Sequence, residues 1–133
     1  MEWMFLPLKR YADFQGRSRR MEYWMFQLLL VVVNLVFWVM MAVGIIISIS
    51  NGQMDDNGPS ALFWLGLALY VLFSLAILVP LLAAQVRRFH DQNLSGWFVL
   101  LSFVPAGGFV ILVFMCLPGT VGPNQYGADP LRQ

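Results

Sequence analysis

Arg87-Arg88-Phe89-His90-Asp91-Gln92-Asn93-Leu94-Ser95-Gly96-Trp97 is a charged segment between two long apolar runs. It contains two arginines, the single histidine of the chain and several residues that favour turns. Residues 60–86 precede it and residues 94–118 begin at its Leu94, and neither run carries a charged side chain. The segment therefore reads as a polar link between two hydrophobic elements.

The composition of the chain indicates a membrane protein. Of its 133 residues, 59% are hydrophobic and only 11% are charged, with a mean hydropathy of +0.70. Soluble domains average about 25% charged residues. A large hydrophobic core cannot explain the lower charged fraction here, because a chain this short has a high ratio of surface to volume. We therefore expect a single membrane-embedded domain over residues 1–133. The net charge of +1 gives no field that would attract nucleic acid.

Three uncharged runs predict an all-α polytopic membrane protein with three transmembrane helices, over residues 23–50, 60–86 and 94–118. The first run would form a helix of roughly 42 Å, against a hydrocarbon core of about 30 Å. The third contains Pro105, Gly107 and Gly108, so it forms either one kinked span or a re-entrant pair of half-helices. We favour the kinked span, because non-helical backbone at membrane depth must be buried in protein, and two other helices can bury little of it.

The flanking segments predict the orientation of the protein. Residues 1–22 combine basic side chains with an apolar helical face, which is typical of an interfacial segment. Residues 118–130 are rich in proline and glycine and predict an ordered, turn-rich cap. Lysine and arginine number five in residues 1–22, two in residues 87–93 and none in residues 51–59. The positive-inside rule then puts the amino terminus in the cytoplasm, and three spans would put the cap on the opposite face.

A polar stripe is expected along the first long helix. Gln27, Asn34, Met41 and Ser48 recur every seven residues and so share one face. Polar groups facing lipid are costly, so this stripe should face other helices. For Asn34 we favour a hydrogen bond to a neighbouring helix, and the alternative is a polar spot in a substrate path.

Three motifs in fixed order resemble a known family. They are Phe14-Gln15-Gly16-Arg17-Ser18-Arg19-Arg20 with Glu22-Tyr23-Trp24, then Arg87-Arg88-Phe89-His90-Asp91 with Ser95-Gly96-Trp97, and finally Pro118-Gly119-Thr120 with Gly122-Pro123-Asn124, Tyr126-Gly127 and Asp129-Pro130. This order resembles the YhaH/YhaI-like family of small bacterial inner-membrane proteins, domain of unknown function 805, and the opening residues look most like its YhaH branch. The resemblance implies a multi-pass protein of the bacterial inner (plasma) membrane, with no established activity and no assigned catalytic residue.

The predicted topology collects the charged residues on one cytoplasmic face. We favour a structural reading, in which they anchor helices and pair with one another in a structural or partner-binding membrane component. The alternative is a site for binding, sensing or transport of an anionic lipid or lipid carrier, because arginine forks match phosphate geometry. The cluster comprises Arg17, Arg19, Arg20, Glu22, Arg87, Arg88, His90 and Asp91.

Enzymatic activity is the least favoured reading. His90 and Asp91 are tempting as an acid–base pair, but adjacent residues do not face each other on a helix. No nucleophile-elbow, Walker A or dinucleotide-binding motif occurs, and one histidine with one cysteine is a poor ligand set for a metal. We therefore expect no catalytic residue, metal site or cofactor. The expected partners are membrane lipids and either another membrane protein or a second copy of the chain.

Overall fold

The computed structural model of the protein describes residues 2–52 and 58–130. Helix is the dominant structure in these ranges, and the one extended pairing in them is an isolated antiparallel bridge between Asn124 and Gly127. The α-helices are α1 (Leu6–Lys9), α2 (Arg20–Ser50), α3 (Ala61–Asp91) and α4 (Gly107–Cys116), and 3₁₀ helices cover Glu2–Met4 and Gly96–Phe103.

Helices α2 and α3 are long and apolar enough to cross a bilayer. Each has 31 residues, and their most apolar windows have mean hydropathies of 2.8 and 2.5. At about 1.5 Å per residue each is roughly 46 Å long, which exceeds a hydrocarbon core of about 30 Å. Only 17% of either window is buried within the protein, unlike the core helix of a soluble domain. The predicted all-α, polytopic membrane class is confirmed.

Helix α3 extends further than the predicted span of residues 60–86. It continues through Arg87–Asp91, so the charged segment occupies the last turns of a helix instead of a loop. The helix ends where Asn93 adopts a positive φ of 59°. The first helical turn that follows is capped by Ser95, whose side chain accepts a hydrogen bond from Trp97 N.

The third apolar run is a helical hairpin and not the kinked span that we favoured. Ala106, with φ 64°, separates the 3₁₀ helix Gly96–Phe103 from α4. The chain then returns to the end of α3, where Thr120 N donates to Asp91 O at 2.8 Å. The two arms are only about 15–16 Å long. Hydrogen bonds within local turns satisfy backbone groups at the tip, including the bond from Gly107 N to Val104 O at 2.9 Å. These groups therefore need no hydrogen-bond partner from another helix.

The described residues pack as two compact units. One contains the chain up to Leu28 together with the chain from Leu78 onward, and the other is Leu29–Ile77. The core of the first unit includes Phe26, Phe89 and Met115, all fully buried. Phe89 also contacts the rings of Phe98 and Phe114, with centroids 5.9 and 6.0 Å away, and so anchors the hairpin to α3.

In the second unit the helices approach each other at glycines. A Cβ added at Gly44 would lie 2.5 Å from Phe63 N, and one added at Gly66 would lie 3.0 Å from the side chains of Met40 and Met41. The ring of Phe37 packs beside those of Tyr70 and Phe73, at 6.1 and 5.4 Å. Small residues at such positions let helix backbones come close in a membrane.

Candidate functional site

The candidate site is a set of buried charged residues in the first unit, which we call the arginine joint: Arg17, Arg87, Arg88 and Asp91. Arg17 precedes α2, and the other three lie in the last turns of α3. All four are buried, and Arg87 and Arg88 are 0% exposed. Charged side chains are almost never buried this fully unless they are paired, so their partners decide what the site can do.

Asp91 lies between two arginines. Its Oδ1 accepts a hydrogen bond from Arg17 Nε at 3.0 Å and forms an ion pair with Nη2 of the same guanidinium, also at 3.0 Å. Its Oδ2 accepts from Arg88 Nη1. Gly119 makes room for this arrangement, because a Cβ there would lie 2.0 Å from Asp91 Oδ2. Hydrogen bonds between charged partners are the strong ones, so the carboxylate is held from both sides.

Other donors of Arg17 and Arg88 bind the cap, whereas Arg88 Nε is buried without a hydrogen-bond partner. Arg17 donates to the carbonyl oxygens of Gly122 and Thr120, each at 2.6 Å, and Arg88 Nη2 donates to Leu117 O. Carbonyls at the end of α4 have no partner within the helix, and they carry its partial negative charge. The arginines therefore fasten the end of α4 and the following turns to α3.

Arg87 binds the amino-terminal segment. It donates to the carbonyl oxygens of Asp13 and, at 3.3 Å, of Arg10, and its Nε donates to Ser18 Oγ at 3.3 Å. Its Nη2 lies 3.6 Å from Glu22 Oε1, an ion pair that is too long for a hydrogen bond. Ser18 N also donates to Arg87 O at 3.2 Å. At the surface of this turn, the hydrogen bond from Arg10 holds the pKa of Asp13 below its ordinary value.

His90 is held by its surroundings. Its ring stacks on Tyr126, with centroids 3.8 Å apart and an interplanar angle of 5°. Nδ1 is 3.3 Å from Gly16 O, and the backbone carbonyl of His90 accepts from Asn124 Nδ2 at 2.9 Å. The histidine thus connects the amino-terminal segment with the cap, beside the pairs formed by Asp91.

The residues predicted to cluster do meet, but in two different settings. Arg17, Glu22, Arg87, Arg88 and Asp91 are buried in and around the joint, and His90 is half-buried beside it. Arg20 is exposed, and half-exposed Arg19 lies over the ring of Trp3, 5.1 Å from its centroid.

The sequence did not predict the contribution of the cap. Because the cap meets Arg17 and Asp91, it lies on the same side as the amino-terminal segment, and the prediction that it faces the other way is wrong. The motif Pro118-Gly119-Thr120 was a usable signal for this contact. The backbone carbonyls that Arg17 and Arg88 bind have no sequence signature.

The polar stripe is only partly an interhelical feature. Asn34 Nδ2 donates to Leu30 O in its own helix at 2.7 Å, so the hydrogen bond that we expected to another helix is replaced by a local one. Gln27 Nε2 donates to Tyr23 Oη at 3.3 Å, also within α2. Ser48 is buried, and its Oγ accepts from Ser60 N at 2.5 Å just before α3 begins.

A pocket lies against the joint, with a volume of about 1150 Å³. Its lining combines Arg17, Arg19 and Arg20 with apolar residues of α2 and of the cap. Within residues 2–52 and 58–130, no three His, Cys, Asp or Glu side chains are grouped so as to hold a metal ion.

Comparison with known proteins places the chain in a family. The family model described as "Protein of unknown function (DUF805)" matches residues 11–128. Inner membrane protein YhaI of Escherichia coli (strain K12) is 40% identical over 131 residues, which cover 98% of this chain and 96% of YhaI. Inner membrane protein YhaH of the same strain is 34% identical, over 98% of this chain and 97% of YhaH. The identity over the chain is thus higher to YhaI than to YhaH. No solved structure matches. The chain belongs to the DUF805 family and is an integral inner-membrane protein.

Proposed function

We propose that the protein is a structural, partner-binding component of the inner membrane, in which the arginine joint holds a rigid surface on the cytoplasmic side. The observation that carries this proposal is the use of Asp91. Both of its carboxylate oxygens are occupied by arginine, whereas a general acid or base must be free to exchange a proton with a substrate. The charged side chains of the joint bind other parts of the chain, so we expect a partner to bind the surface that the joint holds in place.

The alternative function, recognition of an anionic lipid at the whole arginine–histidine cluster, fits the geometry less well. Arg87 and Arg88 are fully buried and donate to acceptors of the chain itself. A headgroup reaching them would have to displace those acceptors. Arg20, in contrast, is exposed beside the pocket, and a lipid site is argued there below.

Orientation in the membrane is part of the proposal. The joint keeps the amino-terminal segment, the end of α3 and the cap together. Residues 1–22 carry five lysines and arginines, and this excess favours the cytoplasm. We infer that all three face the cytoplasm.

The function is tested by photocrosslinking in cells. A crosslinking amino acid would replace Val121 of the cap, which is 88% exposed, or exposed Phe14. Replacement of Leu72, which is exposed on the apolar helix α3, serves as the control for contact with lipid. We expect a discrete protein adduct from positions 14 and 121 that is absent from position 72. Adducts of lipid mass alone, or the same adduct from all three positions, would contradict a protein partner.

A further inference from the structure

The pocket beside the joint differs chemically from the joint itself. Its volume of about 1150 Å³ slightly exceeds the usual range for ligand pockets, roughly 300–1,000 Å³. A free phosphate or a metal ion would leave most of this space empty. The lining contains both arginines and apolar side chains, a combination that suits an amphiphilic ligand.

The basic part of the lining retains positive charge after the internal pairs are counted. Three arginines and two aspartates line the pocket: Arg17, Arg19, Arg20, Asp91 and Asp129. Asp91 is neutralised by Arg17 together with Arg88, which approaches it from outside the lining. Asp129 accepts a hydrogen bond from Gly122 N at 3.0 Å and is buried. Of the three lining arginines, Arg20 is the exposed one, so it presents its positive charge to the pocket.

Arg20 is well placed to bind an anion. Its side chain is exposed, and its Nη1 donates to Cys116 O over 3.4 Å, at the long end of the hydrogen-bond range. It is also the first residue of α2, where a helix carries partial positive charge. A phosphate oxygen could take up the other donors of this guanidinium without breaking the joint.

The apolar part of the lining leads into the membrane span. Met21, Trp24 and Met25 line the pocket and lie three and four residues apart, on one face of α2. Trp24 is fixed by a hydrogen bond from its Nε1 to Met115 O at 3.3 Å, and tryptophan favours the membrane interface. An acyl chain that leaves the pocket along these residues would follow α2 directly into the bilayer.

We propose that this pocket binds an anionic phospholipid, with its phosphate at Arg20 and an acyl chain against Met21, Trp24 and Met25. The proposal is tested apart from the protein partner by a different readout. Phe14 does not line the pocket and so reports the protein partner alone, whereas Val121 lines the pocket and should also give an adduct of lipid mass if the lipid site is right. A basic group at one end and an apolar wall that continues into the span suit a membrane lipid better than a soluble phosphate ester.

Native mass spectrometry of the purified protein tests the assignment. The protein would be released from nanodiscs containing phosphatidylglycerol and phosphatidylcholine in equal amounts. Wild type should retain phosphatidylglycerol preferentially. Arg20→Gln should reduce this retention about tenfold, as expected for loss of a charge-assisted hydrogen bond, and Arg20→Lys should have an intermediate effect because it keeps the charge but loses the fork.

Lys9→Gln is the matched control. It removes one positive charge from an exposed residue of the same segment that does not line the pocket, so it should leave retention unchanged. Equal losses in Lys9→Gln and Arg20→Gln would mean that only bulk charge matters, and this would overturn the site. Unchanged retention in Arg20→Gln would overturn it as well.

Cys116 provides a second measurement that needs no substitution. It is exposed, lines the pocket and is the single cysteine of the chain. We expect phosphatidylglycerol to slow its reaction with a water-soluble maleimide severalfold relative to phosphatidylcholine. Equal rates in the two lipids, or equal protection by soluble glycerol phosphate, would refute a site that holds both headgroup and acyl chain.

Discussion

Asp91 contacts two arginines of the joint and one residue of the cap. Its carboxylate binds Arg17 and Arg88, and its backbone oxygen accepts from both the N and the Oγ1 of Thr120. Removing the charge would leave two buried guanidinium groups without a counterion, and an uncompensated buried charge is strongly destabilising.

Asp91→Asn should therefore lower the stability by about 3–5 kcal/mol, the usual effect of breaking a buried pair. Thermal unfolding in detergent is the measurement. The control is Asp13→Asn, which removes the partly exposed pair with Arg10 and should change stability by about 1 kcal/mol or less. Similar shifts from the two variants would mean that Asp91 is not the centre of the joint.

Asn34 shows how a local acceptor can replace an expected tertiary contact. The carbonyl of Leu30, one turn earlier, is within reach of its amide, so the side chain is satisfied without a second helix. Asn34→Leu should accordingly leave the melting temperature in detergent unchanged or raise it slightly. A drop corresponding to more than about 1 kcal/mol would point instead to an interhelical bond.

The third apolar segment shows what could be predicted at the scale of an element. Pro105, Gly107 and Gly108 correctly indicate a break, but break residues do not reveal whether a chain bends or reverses. The reversal depends on Ala106, which adopts a positive φ that alanine rarely takes, and on the contacts that Arg88 and Thr120 make afterwards. Those contacts join residues distant in sequence, so no local pattern encodes them.

Gly107→Ala tests the turn of the hairpin. An added Cβ would lie 1.8 Å from Leu101 O, a backbone atom that cannot move aside alone. We expect a loss of about 1–3 kcal/mol, as for other overpacked sites, measured by thermal unfolding. Gly108→Ala is the control, because a Cβ there has nothing within 4 Å. If both variants melt alike, the tight approach to Leu101 has no energetic role.

At the scale of the whole molecule, the joint places the cap on the same side as the amino-terminal segment, whereas three spans would place it on the opposite side. Single cysteines at positions 15, 51 and 128, in a Cys116→Ser background, would be labelled with an impermeant maleimide in spheroplasts. Positions 15 and 128 should be protected in intact spheroplasts and react after lysis, and position 51 should react before lysis. Labelling of position 128 together with position 51 would contradict the hairpin and restore a third span.

The sequence predicted which residues form the site, but it did not predict the hydrogen bonds and ion pairs that they make. Charged residues are so rare in this chain that Arg17, Arg87, Arg88 and Asp91 stood out, and the motif order linked them to the cap. Whether an arginine would be buried or exposed was not visible in the sequence, because burial depends on carbonyl acceptors that any residue can supply. The distinction between buried Arg87 and exposed Arg20 therefore comes from the fold alone.

The long reach of Arg17 has a consequence for how the protein is made. Its acceptors Thr120 and Gly122 follow it by 103 and 105 residues, and chains are synthesised from the amino terminus. Both long helices end before Thr120, so the ribosome makes them before it makes the acceptors of Arg17. Insertion must come first and fastening second. A chain that stops short of the cap therefore lacks the acceptors that Arg17 binds in the finished protein.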